Sequence, residues 1–359
     1  MSDVLYIKKA LKLAARARGM TSPNPMVGAV IVKSGRVIVE AYHHRAGEPH
    51  AEALALSEAG DKAKGATLYV SLEPCCHTNK RTPPCTRAII AAGIKRVVVA
   101  TLDPNPSVAG KGVAELEAAG IKVVSGVLDA EARALNEAYN KFITTRKPFV
   151  ILKAAMTLDG KIATPTGQSK WITGEKARLL VHKTRASVDA IMTAIGTVKA
   201  DDPQMTARVK GARSPLRVVI DPLNEISLRN QIVKCPPDTL IVTKNGASAK
   251  ADELRASGVK ILAYEGELDM NGLMAELGRM GIISVLIEGG SSLNSHALLE
   301  GIVDKVMFFI APKIIGGKDS VTVVGGKAFR PLEDAVRLRD MRVRRVGEDI
   351  LLEAYVDKA

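Results

Sequence analysis

Aromatic residues make up only 3% of this 359-residue chain, and there is a single tryptophan, Trp171. Proteins that hold single-stranded nucleic acid do so largely by stacking bases on aromatic rings, so few such platforms are on offer. Cysteine is equally scarce. Of four cysteines, Cys75, Cys76 and Cys85 fall in the short stretch EPCCHTNKRTPPC and Cys235 is far away. That spacing is no disulfide framework, and a cluster beside a histidine suits a metal in a reducing compartment. No apolar run approaches the ~20 residues of a membrane span. The start, MSDVLYIKKALKLAARARG, is amphipathic and lacks the apolar block and small-residue cleavage site of a signal peptide. A cytoplasmic protein with no membrane partner is expected.

Hydrophobic residues are 47% of the chain, enough for real cores, and the length suits two domains. The net charge of +13 is not gathered in a tail. Up to Arg146 there are 20 basic and 13 acidic residues, and after it 31 and 25. A spread excess fits anionic small molecules about as well as nucleic acid. With so few aromatics, nucleic acid is the less favoured partner.

Strand-like and helix-like stretches alternate up to about residue 140. MVGAVIV (26–32), TLYVSL, RVVVAT and IKVVSG predict strands, and HAEALALSEAG (50–60), CTRAIIAAG and KGVAELEAAG predict helices. Alternation of this kind predicts a largely parallel sheet covered on both faces. A second start lies at TTRKPFVILKAAM, where a proline precedes a fresh apolar strand. The seam is placed at residues 141–148, giving domains 1–146 and 147–359. In the second half LRVVID, TLIVTK, SVLIEGG and KVMFFIAP continue the alternation, and MRVRRV with DILLEAYV predicts a closing antiparallel pair. The apolar KVMFFIAP makes subunit contacts, and so a homo-oligomer, an expectation.

The chemistry of the first half gathers around His50, Glu52 and the cysteines. One histidine and two thiolates supply three tetrahedral zinc ligands and leave a fourth position for water, whose pKa the metal lowers towards neutrality. Glu52, two residues from His50 on the same helical turn, suits a proton shuttle better than a ligand. Histidine–x–glutamate followed by proline–cysteine and a further cysteine is the signature of zinc nucleobase deaminases. A structural zinc loop is the bland alternative; it would close the site with a fourth protein ligand and leave Glu52 no task. A deaminase acting on nucleic acid is the other, and it would need a basic groove lined with aromatics.

The chain resembles the bifunctional deaminase/reductase family of riboflavin biosynthesis in TSPNPMVGAVIV (21–32), HRAGEPHAEALAL (44–56), SLEPCCHTNKRTPPC (71–85) and DPNPSVAGKG (103–112). The resemblance continues through the second half. It implies a cytidine-deaminase-like three-layer α/β/α domain followed by a dihydrofolate-reductase-like α/β domain. It implies His50, Cys75 and Cys85 as ligands of one Zn2+, Glu52 as the catalytic group, and Asn24, His43, His77, Asp103 and Asn105 around the pyrimidine. Asn24, between two prolines, should have its amide free for a ring edge. His43, in a loop-like stretch, is either a substrate contact or a solvated loop histidine. Cys76 lies at the family's usual spacing from Cys85, and Cys75 lies one residue farther. The proline-led strand end in EPC favours Cys75, with one insertion absorbed in 78–81, because a loop tolerates an extra residue more easily than a ligand tolerates a shift.

The second half has no G-x-G-x-x-G, so a standard dinucleotide fold is not indicated. KAAMTLDGKIA (153–163), SKWIT (169–173), GTVKADDPQMTAR (196–208) and LIEGGSSLNSHALL (286–299) match the reductase half of the same family. That match implies NADPH held by Ala155, Trp171, Thr197, Asp201 and the turn Gly290, Ser291, Ser292, Leu293, Asn294, Ser295, His296. It implies a phosphorylated pyrimidine nucleotide at Lys153, Ser169, Arg185, Met205, Arg208 and Glu288. The strand-to-helix turn in LIEGGSS would offer outward backbone N–H groups to a phosphate, although such strings are often only flexible turns. Arg185 and Arg208 suit a 5′-phosphate, since guanidinium pairs with phosphate bidentately. On composition alone Trp171 would be a core residue.

Overall fold

The computed structural model describes residues 2–77, 83–326 and 331–358. The insertion expected at 78–81 therefore lies outside the described residues. The chain divides into two compact units, Met1–Lys147 and Pro148–Ala359.

In the first unit the elements run α1 (Asp3–Ala14), β1 (Gly28–Lys33), β2 (Arg36–Tyr42), α2 (Ala51–Ala59), β3 (Thr67–Val70), α3 (Cys85–Ala91), β4 (Arg96–Val99), α4 (Lys111–Ala118), β5 (Lys122–Ser125), α5 (Asp129–Leu135) and α6 (Glu137–Thr145). They build one sheet in the order β2-β1-β3-β4-β5. Only β3, β4 and β5 are parallel; β1 runs antiparallel to both its neighbours. The expectation of a largely parallel sheet is corrected at this edge. Ser34 and Gly35, both at positive φ, make a two-residue turn that sends the chain straight back as β2. Burial alternates along each central strand. Ala29, Ile31, Leu68, Val70, Val97 and Val99 pack towards α2, α3 and α4. Val30, Val32, Tyr69 and Val98 pack towards α1 and α5. A side-chain period of two thus produces helices on both faces and three layers.

The second unit runs β6 (Phe149–Thr157), β7 (Lys161–Ala163), α7 (Glu175–Arg185), β8 (Ala190–Ala194), α8 (Ile195–Asp201), β9 (Leu216–Ile220), α9 (Gln231–Lys234), β10 (Thr239–Thr243), α10 (Ala249–Ala256), β11 (Lys260–Ala263), α11 (Met270–Arg279), β12 (Ser284–Ile287), α12 (Ser291–Leu299), β13 (Lys305–Ala311), β14 (Val321–Thr322), β15 (Leu338–Val346) and β16 (Asp349–Val356). Nine strands form one sheet, β11-β10-β9-β8-β12-β6-β13-β16-β15, and β7 pairs with β14 apart from it. The strands from β11 to β13 are parallel; β16 and β15 close the edge antiparallel, as MRVRRV and DILLEAYV predict. KVMFFIAP does not present a subunit surface: β13 lies between β6 and β16 with Val306, Met307, Phe309 and Ala311 buried. Among the described residues, no helix is long and apolar enough to cross a membrane.

Candidate functional sites

His50 caps the N-terminus of α2, Cys75 follows β3, and Cys85 opens α3. Their ligand atoms lie within 4.8 Å of one another, the only such histidine/cysteine/acid group among the described residues. His50 Nδ1 is 3.6 Å from Cys75 Sγ and 3.3 Å from Cys85 Sγ. Tetrahedral zinc with ordinary Zn–S and Zn–N bonds holds such donors about 3.5 Å apart, so the three side chains fit the metal. The Cys85 backbone N–H donates to Cys75 Sγ at 3.4 Å, and both cysteines are buried. Cys76 is outside this cluster, and burial pushes its thiol pKa up.

Glu52 sits in the first turn of α2, 3% exposed, and its Oε2 is buried without a hydrogen-bond partner among the described residues. Burial pushes this carboxyl above the usual carboxylate range, and Cys75 beside it adds to the rise. A buried carboxylate oxygen without a partner is costly unless the site supplies one, which is how a proton-transfer group is held in readiness.

His43 is 2% exposed, so the solvated-loop alternative is excluded. Its Nδ1 lies 3.1 Å from the Pro49 carbonyl and its Nε2 lies 3.2 Å from Asn24 Nδ2. A proton on Nδ1 satisfies both contacts: the ring donates to Pro49 and accepts from the Asn24 amide. Asn24 is therefore not wholly free, as expected from its turn, but spends one N–H on His43. His43 and His50 meet edge to face with ring centroids 5.4 Å apart. His77 is half-buried, with Nδ1 inaccessible and without a partner among the described residues.

Asp103 and Asn105 lie in the loop after β4. Asp103 is buried, accepts from the Asn105 N–H at 2.9 Å, and takes the Tyr139 hydroxyl on both oxygens at 3.0 and 3.2 Å. Burial raises its pKa. Glu73 anchors the same loop by accepting from the backbone N–H groups of Asp103, Gly110 and Val113 at 3.1, 2.9 and 3.1 Å. Neither Glu73 nor Tyr139 is flagged by sequence reasoning. Glu73 stands inside the EPC motif, which was a usable signal; Tyr139 gives none. At Gly112 a Cβ would come within 2.1 Å of the Pro74 carbonyl, so only glycine lets α4 approach the cysteine loop.

In the second unit the expected residues collect at the carboxyl ends of the adjacent parallel strands β8, β12 and β6, where open α/β sheets bind ligands. Lys153 and Ala155 lie two apart on β6, on one face; Glu288 follows β12; Thr197 is in α8 after β8. Glu288 binds two cations. Arg185 donates from Nε at 2.6 Å and Nη2 at 3.0 Å, and Lys153 Nζ donates at 3.2 Å. Burial opposes ionisation, but Arg185 and Lys153 outweigh it and hold the carboxyl at about 2. Arg185 Nη1 also donates to the Thr206 carbonyl at 3.1 Å. All three guanidinium nitrogens of Arg185 thus make a bond within the protein, which fixes the orientation of the fork and leaves one N–H on each terminal nitrogen for a ligand. Arg208 is exposed, with one long contact to Gln204 Oε1 at 3.4 Å.

The segment carrying Met205 and Arg208 is unusual in its backbone. Asp202, Met205 and Arg208 have φ of 41°, 53° and 48°, a conformation non-glycine residues rarely adopt. Met205 is buried. Trp171 is 65% exposed, so composition misplaces it; the Arg178 guanidinium stacks over its ring at 4.6 Å. Ser169 Oγ donates to Asp201 Oδ1 at 3.3 Å, and Lys170 pairs with the same carboxylate.

Gly290 caps α12, whose first turn carries Ser291, Ser292, Leu293 and Asn294. Ser292 is exposed, whereas Leu293, Asn294 and Ser295 are buried and His296 is half-buried. Thr197 faces the cap: a Cβ on Gly290 would sit 3.7 Å from its Oγ1. The segment around 322–326 packs over this turn. Asn294 Nδ2 donates to the Val323 carbonyl at 2.8 Å, and Gly325 leaves no space for a side chain against Ser291 Oγ. Sequence reasoning missed this segment, although its paired glycines signal a close approach.

Comparison with known proteins accounts for both sites. Residues 1–101 match the cytidine and deoxycytidylate deaminase zinc-binding region. Residues 148–352 match the RibD C-terminal domain. The chain is 44% identical to the riboflavin biosynthesis protein RibD of Actinobacillus pleuropneumoniae over 361 residues, covering 99% of this chain and 96% of the relative. It is 45% identical to the RibD of Aquifex aeolicus (strain VF5), covering 98% and 97%. A solved Thermotoga maritima diaminohydroxyphosphoribosylaminopyrimidine deaminase/5-amino-6-(5-phosphoribosylamino)uracil reductase has a TM-score of 0.90 at 36% identity, with 99% of each chain covered. Acinetobacter baumannii RibD (form 1) gives 0.90 at 38%, again covering 99% of each. With a deaminase zinc region and a reductase domain in one chain, and identity running almost end to end, this chain belongs to the RibD family of riboflavin biosynthesis.

Proposed function

We propose that the chain performs two successive steps of riboflavin biosynthesis. Residues 1–146 hydrolytically deaminate 2,5-diamino-6-(5-phosphoribosylamino)pyrimidin-4(3H)-one, and residues 147–359 reduce the ribosyl group of the product to ribityl with NADPH. The observation that carries the first step is the His50–Cys75–Cys85 cluster beside a buried carboxylate oxygen with no partner among the described residues. Zinc held by His50 Nδ1 and the two thiolates supplies the Lewis acidity that makes water a nucleophile near neutral pH. Glu52 takes a proton from the attacking water, gives one to the ring nitrogen, and carries one to the departing ammonia. The C–O bond forms first, as the ring nitrogen is protonated; the C–N bond then breaks as the added hydroxyl gives up its proton, becomes the carbonyl and releases ammonia. Asn24, His43 and His77 hold the pyrimidine, and Asp103 and Asn105 lie near it.

In the second unit NADPH supplies the hydride, and the protein orients the reactants. Ala155, Trp171, Thr197, Asp201 and residues 290–296 hold the cofactor. Lys153, Ser169, Arg185, Met205, Arg208 and Glu288 face the substrate, with Arg185 and Lys153 oriented by Glu288. Arg208 takes the 5′-phosphate. We further assign the enzyme to the cytoplasm, without nucleic-acid substrates, and as a homo-oligomer. The edge strand β15 supports the last: Leu338, Met341 and Val343 are 43%, 62% and 59% exposed along it.

The test is the purified protein with the diaminopyrimidine nucleotide, with and without NADPH. Ammonia should be released without NADPH, and NADPH should be consumed only once deaminated product exists. NADPH oxidation that precedes ammonia release would overturn the order. Sedimentation as a monomer at micromolar concentration would remove the oligomer.

A further inference from the structure

Among the described residues Arg217, the second residue of β9, is the largest side chain buried almost completely, 1% exposed. Its neighbours Val218 and Val219 are core residues. Among the described residues no carboxylate forms an ion pair with it. Its hydrogen bonds all go to main-chain carbonyls: Nη1 donates to Gln204 at 3.1 Å, and Nη2 to Cys235 and Pro237. Asp238 lies near enough for its charge to act on Arg217 but makes no ion pair with it. A buried cation without a directly paired anion is a poor device for stability alone, since apolar replacement usually serves as well or better. A rigid planar fork, however, fixes two chain segments in one geometry.

One of those segments is the backbone that holds Met205 and Arg208. Alternate carbonyls of this segment are tethered. Gln204 is held by Arg217, and Thr206 is held by Arg185 and lies 3.2 Å from His182 Nδ1. At its start, Asn230 and the Gln231 backbone donate to Asp202 Oδ1 at 2.9 and 3.0 Å. Between the two tethered carbonyls Met205 adopts its positive φ, and Arg208 repeats it beyond them. Such a conformation persists only where the surroundings over-determine it. Arg217 is the member of this network that comes from the sheet rather than from a loop or helix.

We propose that Arg217 is a positioning residue for the reductase substrate: by gripping the Gln204 carbonyl it sets where Met205 and Arg208 meet the nucleotide. This rests on the assignment of Arg208 to the phosphate. The full chain offers its own control, because ammonia release belongs to the other unit. In R217M, KM for the deaminated nucleotide should rise about tenfold or more while kcat stays within about threefold. NADPH affinity and ammonia release should not change. R217K, which keeps one cationic donor, should recover part of the KM. Hydrogen exchange at residues 202–208 should quicken in R217K, with β9 unaffected. Unchanged KM in R217M, or a rise in KM accompanied by loss of NADPH affinity and of kcat, overturns the proposal. If R217M does not accumulate, R217K decides by the same KM and exchange criteria. R208A separates the two levels: a normal KM there sinks the phosphate assignment, whatever Arg217 does.

Discussion

Glu52 and Glu288 are both buried glutamates at the heart of their units, yet their surroundings push them in opposite directions. Among the described residues no cation pairs with the Glu52 Oε2, and burial drives its pKa up. Glu288 is clasped by Arg185 and Lys153 and is held at about 2. A carboxyl that gains and loses protons needs the first environment; one that must stay charged needs the second. The contrast supports the proposal of proton transfer at Glu52 and fixed electrostatic scaffolding at Glu288.

The comparison can be broken most severely at the metal. Cys75→Ser should lose zinc and with it deamination, while Cys76→Ser keeps both, as read by metal analysis and ammonia release. Zinc loss confined to the Cys76 variant would invert the ligand assignment. Glu52→Gln should retain zinc but slow ammonia release by about 10²–10⁴-fold, the usual worth of a proton-transfer group. Reduction of supplied deaminated product by that variant should be normal. Unchanged ammonia release would remove Glu52 from the mechanism.

Glu288→Gln acts differently, because it leaves two largely buried cations, 13% and 15% exposed, without their anion. The second unit should lose on the order of 3 kcal/mol, measurable by denaturant titration of the full chain. The sign with pH follows from the lowered pKa. Ionised Glu288 contributes its full stability above its ordinary value of 4.5, and the contribution is lost as pH falls towards about 2. An acid titration of wild type should contain this component, and Glu288→Gln should lack it. Identical acid profiles would mean that the ion pair adds nothing. The smallest effect is expected at Trp171. Its exposed ring makes Trp171→Phe worth less than about 0.5 kcal/mol in stability. As the sole tryptophan, it should still lose emission when NADPH binds; a spectrum indifferent to NADPH would separate Trp171 from the cofactor.

The two sites also differ in how much of each was legible beforehand. His50, Glu52, Cys75 and Cys85 sit on short motifs whose spacing is itself the chemical constraint. The Arg185–Glu288 pair joins residues 103 positions apart, and the Lys153–Glu288 pair spans 135. No local pattern announces such a pairing, so Arg185 looks free in the sequence and is oriented by Glu288 in the fold. Strand positions were readable from apolar runs and most directions from the strand–helix alternation; the exception is β1, antiparallel to β2 because a two-residue turn at Ser34–Gly35 leaves no room for a crossover. Trp171 shows the limit of composition. Large and apolar, it belongs in a core by default, and local geometry puts it outside.

Gly112 looks like an ordinary glycine in a helical stretch, far in sequence from any ligand. Because α4 rests against the Pro74 carbonyl there, one methyl group would act as a wedge under the residue that precedes Cys75. The metal site is thus gauged by a gap rather than by a bond, and damage to it can begin at a residue that never meets metal or substrate.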